Sequence, residues 1–363
     1  MAKFTDIFED VTKQGTKIPA NLYLETGMYP IIDQGQSQVA GYTNETEGLF
    51  TNIPAIIFGD HTRSIKYVDT PCFLGADGVK LLKAKDPTAN YKYLYYALCN
   101  ADIPNTGYNR HFKWLKEIEI AECSIEEQNS IVAQFEKIDT LICLRKQQLS
   151  KLDELVKSRF IEMFGDPIYN EKRWLTDSVE NVCSDIYGGG TPSKAHPEYY
   201  ENGDIPWVSS KDMKSSILYD SQIRINQLGV DNSTAKIVPI NSVIMVIRSG
   251  ILKHTLPVAI NAVPITVNQD LKVFVPSQRI TSLFLMYLFK MLEKDILSGV
   301  RAVTADNIEF NSLKERMIIV PPIDLQLEFV SFVEQTDKSK FEIQKSLKTL
   351  ETLKKALMQK YFG

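Results

Sequence analysis

Residues 109–165, NRHFKWLKEIEIAECSIEEQNSIVAQFEKIDTLICLRKQQLSKLDELVKSRFIEMFG, fall without a gap on residues 307–363, NIEFNSLKERMIIVPPIDLQLEFVSFVEQTDKSKFEIQKSLKTLETLKKALMQKYFG, when the chain is shifted by 198 positions. Seventeen of the 57 aligned positions are identical, among them Phe112/Phe310, Leu115-Lys116-Glu117 with Leu313-Lys314-Glu315, Gln128/Gln326, Asp139/Asp337 and Phe164-Gly165 with Phe362-Gly363. So long an ungapped match marks an internal duplication. A second echo pairs Thr5, Asp6, Glu9 and Val11 with Thr176, Asp177, Glu180 and Val182 at an offset of 171. The offset grows by 27 between these anchors, so the halves share their ends and diverge in their middles. Shared ends imply one common job, and divergent middles two different ones.

Periodicity identifies the ends. A 3,4 spacing picks out Ile131, Phe135, Ile138, Ile142, Arg145, Leu149, Leu152, Val156, Arg159 and Met163. The same register gives Phe329, Val333, Thr336, Lys340, Ile343, Leu347, Leu350, Lys354, Leu357 and Tyr361 in the second copy. No Pro or Gly interrupts either run, and Gly165 and Gly363 stand after the last turn as stop signals. Each copy therefore reads as one helix of roughly 39 residues, about 58 Å long. A helix of that length with one apolar seam needs a partner, and the other copy supplies one. The alternative is two separate helices, each packed on its own domain. The seam expected is Phe135, Ile138, Ile142, Leu149, Leu152 and Val156 against Ile343, Leu347, Leu350 and Leu357.

The middles read as mixed α/β. Ile53–Phe58, Ser64–Val68 and Val79–Leu82 are strand-like, with a helix over Tyr91–Asn100. In the second half Ile205–Val208, Val243–Ile247, Leu256–Ile260 and Leu271–Val275 are strand-like, with a helix over Thr281–Ser298. The expected domains are 1–122, a central helix 123–165, 166–319, and a terminal helix 320–363.

Composition excludes several classes. With 363 residues, 44% apolar and 24% charged, the chain has enough apolar material for two cores and is neither disordered nor collagen-like. No apolar run reaches membrane-span length, and the first ten residues carry three acids where a signal peptide would be basic. No membrane partner and a cytoplasmic location are expected. Cys72, Cys99, Cys123, Cys143 and Cys183 are scattered and odd in number, which suits reduced core thiols. Neither they nor the four separated histidines form a metal motif. The net charge of -4 makes the chain no basic DNA-binding tail, so DNA contact has to come from local patches or from a partner.

Catalytic signatures are missing from the sequence: no phosphate-loop, GxGxxG, GxSxG or [DN]PP[YFW] pattern occurs. Asp204, Asp212 and Lys214 only loosely imitate a nuclease's acidic pair and lysine. Gly188-Gly189-Gly190 with Lys194 reads either as a structural turn or as a loop offering backbone N–H groups to a DNA phosphate. Two further loops carry groups suited to base edges and phosphates: His61, Thr62, Arg63 and Lys66 after one apolar strand, and Arg248, Ser249, Lys253 and His254 after another. Each is equally readable as a solvated turn. Asn109, Arg110 and Lys113, beside Phe112 and Trp114, are either a further contact or a hinge.

With the repeat, the long helices and the divergent middles together, the chain resembles the specificity subunits of type I restriction-modification systems. Gly189-Gly190-Thr191-Pro192-Ser193 and Gly203–Met213, with Ser209, Ser210 and Lys211, look like the opening motif of many target recognition domains. Residues 1–114 lack that opening and are similar to another subtype, with Pro30–Gly35 and Phe58–Arg63 in its place. The resemblance implies two target recognition domains separated by two long antiparallel helices in a coiled coil, with a pseudo-twofold repeat. It implies recognition of a bipartite, asymmetric site in double-stranded DNA, and docking of two methyltransferase subunits and of motor-nuclease restriction subunits. No catalytic residue, metal or cofactor is expected on this chain; S-adenosylmethionine, ATP and Mg belong to the partners. A protein-binding coiled-coil scaffold and a stand-alone nuclease are the competing readings.

Overall fold

The computed structural model describes residues 1–75, 78–299, 301–302 and 306–363. They form two compact units, Met1–Gln147 with Ile343–Gly363, and Gln148–Glu342. Both duplicated segments end in a single 40-residue helix, Ile125–Phe164 and Ile323–Phe362. The central helix opens where Ser124 Oγ accepts the N–H of Glu127, a side-chain cap for one of the orphan donors of the first turn. It stops at Gly165, whose φ of +77° closes the last turn through a bond from its N–H to Ile161 O. Each long helix contributes one portion to each unit, dividing at Gln147/Gln148 and at Glu342/Ile343.

In the first unit, Phe8–Asp10, Val79–Ala84, Ala55–Gly59 and Ile65–Val68 form an antiparallel sheet in that order. Ala55–Gly59 is buried on both faces, which is why it reads as an unbroken apolar run. Alternate residues go to opposite sides. Ile56 and Phe58 join Leu82, helix Tyr91–Cys99 and Phe135, whereas Ala55 and Ile57 join Leu81, Cys72 and Leu74. A smaller sheet, Gly41–Thr43, Tyr29–Ile32 and Phe73–Leu74, lies beyond the sequence expectation. Its strands of two to four residues are too short for a period to declare itself.

The second unit holds a five-stranded sheet ordered Cys183–Gly188, Leu271–Pro276, Val243–Val246, Val258–Asn261 and Ile217–Leu218. Its first four strands repeat the order of the first unit's sheet, so the divergent middles share a skeleton although their sequences do not. Ile205–Val208 lies in a separate three-stranded sheet with Arg224–Ile225 and Thr266–Val267. The expected helix over Thr281–Ser298 is two helices, Ser282–Met291 and Glu293–Ser298. The echo at the start of each half does not mark equivalent places, since Thr5 lies in the helical turn Phe4–Ile7 and Thr176 in the strand Thr176–Ser178. Ala2–Lys3 pairs with Glu119–Ile120, and Thr176–Ser178 pairs with Met317–Ile319, so each half is closed by the same strand pair.

Within each unit the two helix portions run antiparallel. In the first, Lys354 meets Asp139, the Tyr361 hydroxyl donates to Gln134, and Phe135 stacks on Phe362. In the second, Lys340 meets Asp153 at 2.7 Å, Arg159 meets Glu328 at 2.8 Å, and Phe160 packs edge-on against Phe329. Of the expected seam, Phe135, Ile138 and Val156 are buried, while Ile142, Leu149, Leu152, Ile343, Leu347, Leu350 and Leu357 are half-buried. The register needs one correction. Near its end the central helix buries Phe160 and Phe164, not Arg159 and Met163. There it packs on Phe284 as well as Phe329, and that aromatic cluster turns the apolar face by one residue.

Candidate nucleic-acid interface

In the first unit, the chain leaving strand Ala55–Gly59 makes a tight loop: Arg63 adopts φ +61° and its N–H bonds Gly59 O at 2.7 Å. The loop is clamped to residues 105–112. Asp60 O accepts from the N–H of His111 at 2.8 Å and lies 2.9 Å from that buried imidazole, while the Asp60 carboxylate accepts from Phe112 N at 2.7 Å. Asp60 and His111, both buried, thus act as a rivet between two loops, a role that sequence spacing 51 residues apart gave no sign of.

Next to this rivet the structure brings His61 to Tyr108 and Asn109. His61 Nδ1 lies 3.2 Å from Asn109 O, and its ring stacks on Tyr108. Arg63 donates to Ile103 O at 3.0 Å and stays half-exposed. Arg110 and Lys113 are exposed, the latter with its ammonium 4.1 Å from the Trp114 ring centre. Two expected contacts are corrected. The Thr62 hydroxyl turns inward to Gln34 O, and Lys66 is buried, its ammonium donating to Ser37 O and Asp33. Burial holds the Lys66 pKa below the usual lysine value, and the amine ties a strand to the loop at 33–37 instead of facing solvent. Within Asn109–Trp114, His111, Phe112 and Asn109 are each held by hydrogen bonds.

In the second unit one segment, Asn268–Asp270, collects three of the expected loops. Asn268 N donates to Val208 O at the head of Ser209–Lys211, and Thr191 bonds Gln269 at the head of the loop bearing Lys194. Arg248 grips Asp270 through Nε at 2.7 Å and Nη2 at 2.6 Å, and Asn268 Nδ2 braces the other carboxylate oxygen at 3.0 Å. Arg248 remains about half exposed, a guanidinium aimed by a carboxylate. Lys272, which sequence reading passed over as a strand residue, lies close enough to Arg248 that their repulsion adds to burial in lowering its pKa. Lys194, Lys211, Lys253 and His254 are exposed.

Ser249 instead caps the short turn Gly250–Lys253, accepting from Ile251 N, and half-buried Ser209 binds Asp212 through both its N–H and its hydroxyl. Ser210 is half-buried. Asp212 also accepts from Gln222 N, so its carboxylate organises a turn rather than a cation. Among the described residues no cluster of metal-ligating groups occurs. The glycine motif is packing as well. A side-chain carbon on Gly189 would lie 2.0 Å from Val267 O, Gly190 N bonds Val267 O, and Trp207 Nε1 bonds Gly190 O. The N–H of Gly190 is thereby committed to the sheet.

Two sheets that share a four-strand order, each followed by its own set of basic and polar loops, define a duplicated α/β protein with two modules. The family profile described as the type I restriction modification DNA specificity domain matches the chain twice, over residues 1–154 and 171–355. The chain therefore belongs to the type I restriction-modification specificity subunits, and its role is DNA recognition within such a system, not catalysis. It is 30% identical over 355 residues to the specificity subunit of the type I restriction enzyme EcoR124I/EcoR124II of Escherichia coli, covering 90% of this chain and 85% of that one. It is 27% identical over 264 residues to the MjaIX specificity subunit of Methanocaldococcus jannaschii, covering 68% and 60%. The fold is similar to the crystal structure of the S subunit from M. genitalium, with a TM-score of 0.61 at 16% identity over 99% of this chain and 95% of that one. A second solved type I restriction-modification structure gives a TM-score of 0.58 over the same shares. No helix among the described residues is long and apolar enough to cross a membrane.

Proposed function

We propose that the chain reads a bipartite, asymmetric site in double-stranded DNA, one part through each unit. In the first unit the DNA-contacting groups are His61, Arg63, Asn109, Arg110 and Lys113, to bases or to phosphates. In the second they are Lys194, Lys211, Arg248, Lys253 and His254, with Ser210 and Lys272 beside them. The observation that carries the reading is the shared strand order under different loops: one scaffold, used twice, holds two chemistries. Two methyltransferase subunits and motor-nuclease subunits are the partners, and they bring S-adenosylmethionine, ATP and Mg. Arg248 is the strongest base-reading group, because a guanidinium aimed by Asp270 is preorganised for the bidentate bond with guanine.

The test is an exchange. Replacing residues 166–310 by those of another family member is expected to change one part of the methylated motif, read by sequencing modified genomic DNA, and to leave the other part alone. Changes in both parts would argue against independent modules. A chain that binds its partners but tolerates a scrambled half-site would be a scaffold.

A further inference from the structure

Tyr108 is 85% exposed at the tip of the loop between Asn105 and His111, yet it is not a loose side chain. Its ring lies parallel to the His61 imidazole, with centroids 4.5 Å apart and 8° between planes. His61 is fixed through Asn109 O, Asn109 Nδ2 donates to Thr106 O, and both loops are riveted by Asp60 and buried His111. One face of Tyr108 is covered by His61, while the high exposure leaves the other bare. Arg110 and Lys113, both exposed, stand two and five residues further on. A flat aromatic face backed by a stacked imidazole, with exposed cations two and five residues further along the chain, matches the stacking surfaces on which proteins receive nucleobases.

We propose that the Tyr108–His61 pair is a preformed platform that stacks against a nucleobase displaced from the helical stack in the bound DNA. The inference rests on the DNA-reading role and adds a contact of a different kind from the hydrogen-bonding groups of the same unit. The offset of 198 sets Asp306 against Tyr108, so the duplication does not repeat this tyrosine at that place. Stacking tolerates any base, so the platform contributes affinity and DNA deformation, while Arg63 and its neighbours carry sequence.

The experiment measures binding of the complex, purified with its partner subunits, to a duplex bearing its own methylated motif across a salt series. Tyr108→Ala is expected to weaken binding roughly tenfold or more with an unchanged salt slope, and Tyr108→Phe to restore it. Arg110→Ala, in the same loop, is expected to flatten the slope by about one instead. A Tyr108→Ala variant that binds as wild type overturns the proposal. So does one whose loss is all in the salt slope, or one that Phe does not rescue while its melting temperature is unchanged. Failure of the wild-type complex to prefer its motif over scrambled DNA would strike the DNA-reading role itself, which keeps the two failures apart.

Discussion

Gln326 makes in the second half of the chain the bond that Gln128 makes in the first. Each side-chain amide donates to the carbonyl five residues earlier, Pro321 O at 2.9 Å and Cys123 O at 3.1 Å. The glutamines are 198 positions apart and are among the identities of the repeat, so the duplication retained a device that fastens the chain just ahead of each long helix. They are not equally buried. Gln326 is fully buried and also accepts from Thr281 N at 2.9 Å and donates to Arg279 O at 3.1 Å.

From this difference, Gln326→Ala is expected to cost about 2–4 kcal/mol, because three backbone groups lose their partner in a dry place. Gln128→Ala, half-buried and with one such bond, is expected to cost about 1 kcal/mol or less. Urea unfolding of the two variants checks this, and equal losses would show that burial does not distinguish them.

Gly189 sits where any side-chain carbon would lie 2.0 Å from Val267 O and 2.3 Å from Asn268 O. Backbone atoms of a sheet cannot withdraw as a flexible side chain can. Gly189→Ala is therefore expected to destabilise the second unit by more than about 2 kcal/mol, whereas exposed Lys194→Ala stays within about 0.5 kcal/mol. Thermal melts decide it; a Gly189→Ala variant melting with wild type would return the motif to the list of DNA contacts.

Lys290 lines a cavity of about 400 Å³ in the second unit, with Asp153, Lys157, Tyr287, Asp337 and Lys340, and donates to Ser216 Oγ at 2.6 Å. Burial, aided by Lys340 and Lys157 and opposed by Asp153 and Asp337, pushes its pKa down to about 8 from 10.5. Between those values the unfolded chain binds the proton that the folded chain has released. The cost of burying the charge is thus full below pH 8 and is relieved as pH rises toward 10.5. Lys290→Met is expected to raise the melting temperature at pH 7, and the gain should shrink by pH 10. A gain independent of pH, or a loss at pH 7, would contradict this account.

The duplication, both long helices and most of the core strands are legible in residue order alone, because they depend on period and composition along the chain. The apolar run at Ala55–Phe58 and the seam from Phe135 to Val156 are written in residue order and need no distant partner to be recognised. The same reading failed where burial depends on what lies opposite. Lys66 looked like a surface cation until Asp33 and Ser37 enclosed it, and Thr62 and Ser249 looked like donors to DNA until the backbone claimed them. The rivet of Asp60 on His111, the gathering of three loops by Asn268–Asp270 and the stacking of exposed Tyr108 on His61 emerge only once the chain is folded. Each of these joins groups tens of residues apart, through directional bonds of about 3 Å or, for Tyr108, through a ring stack, and no spacing along a single chain encodes such a meeting.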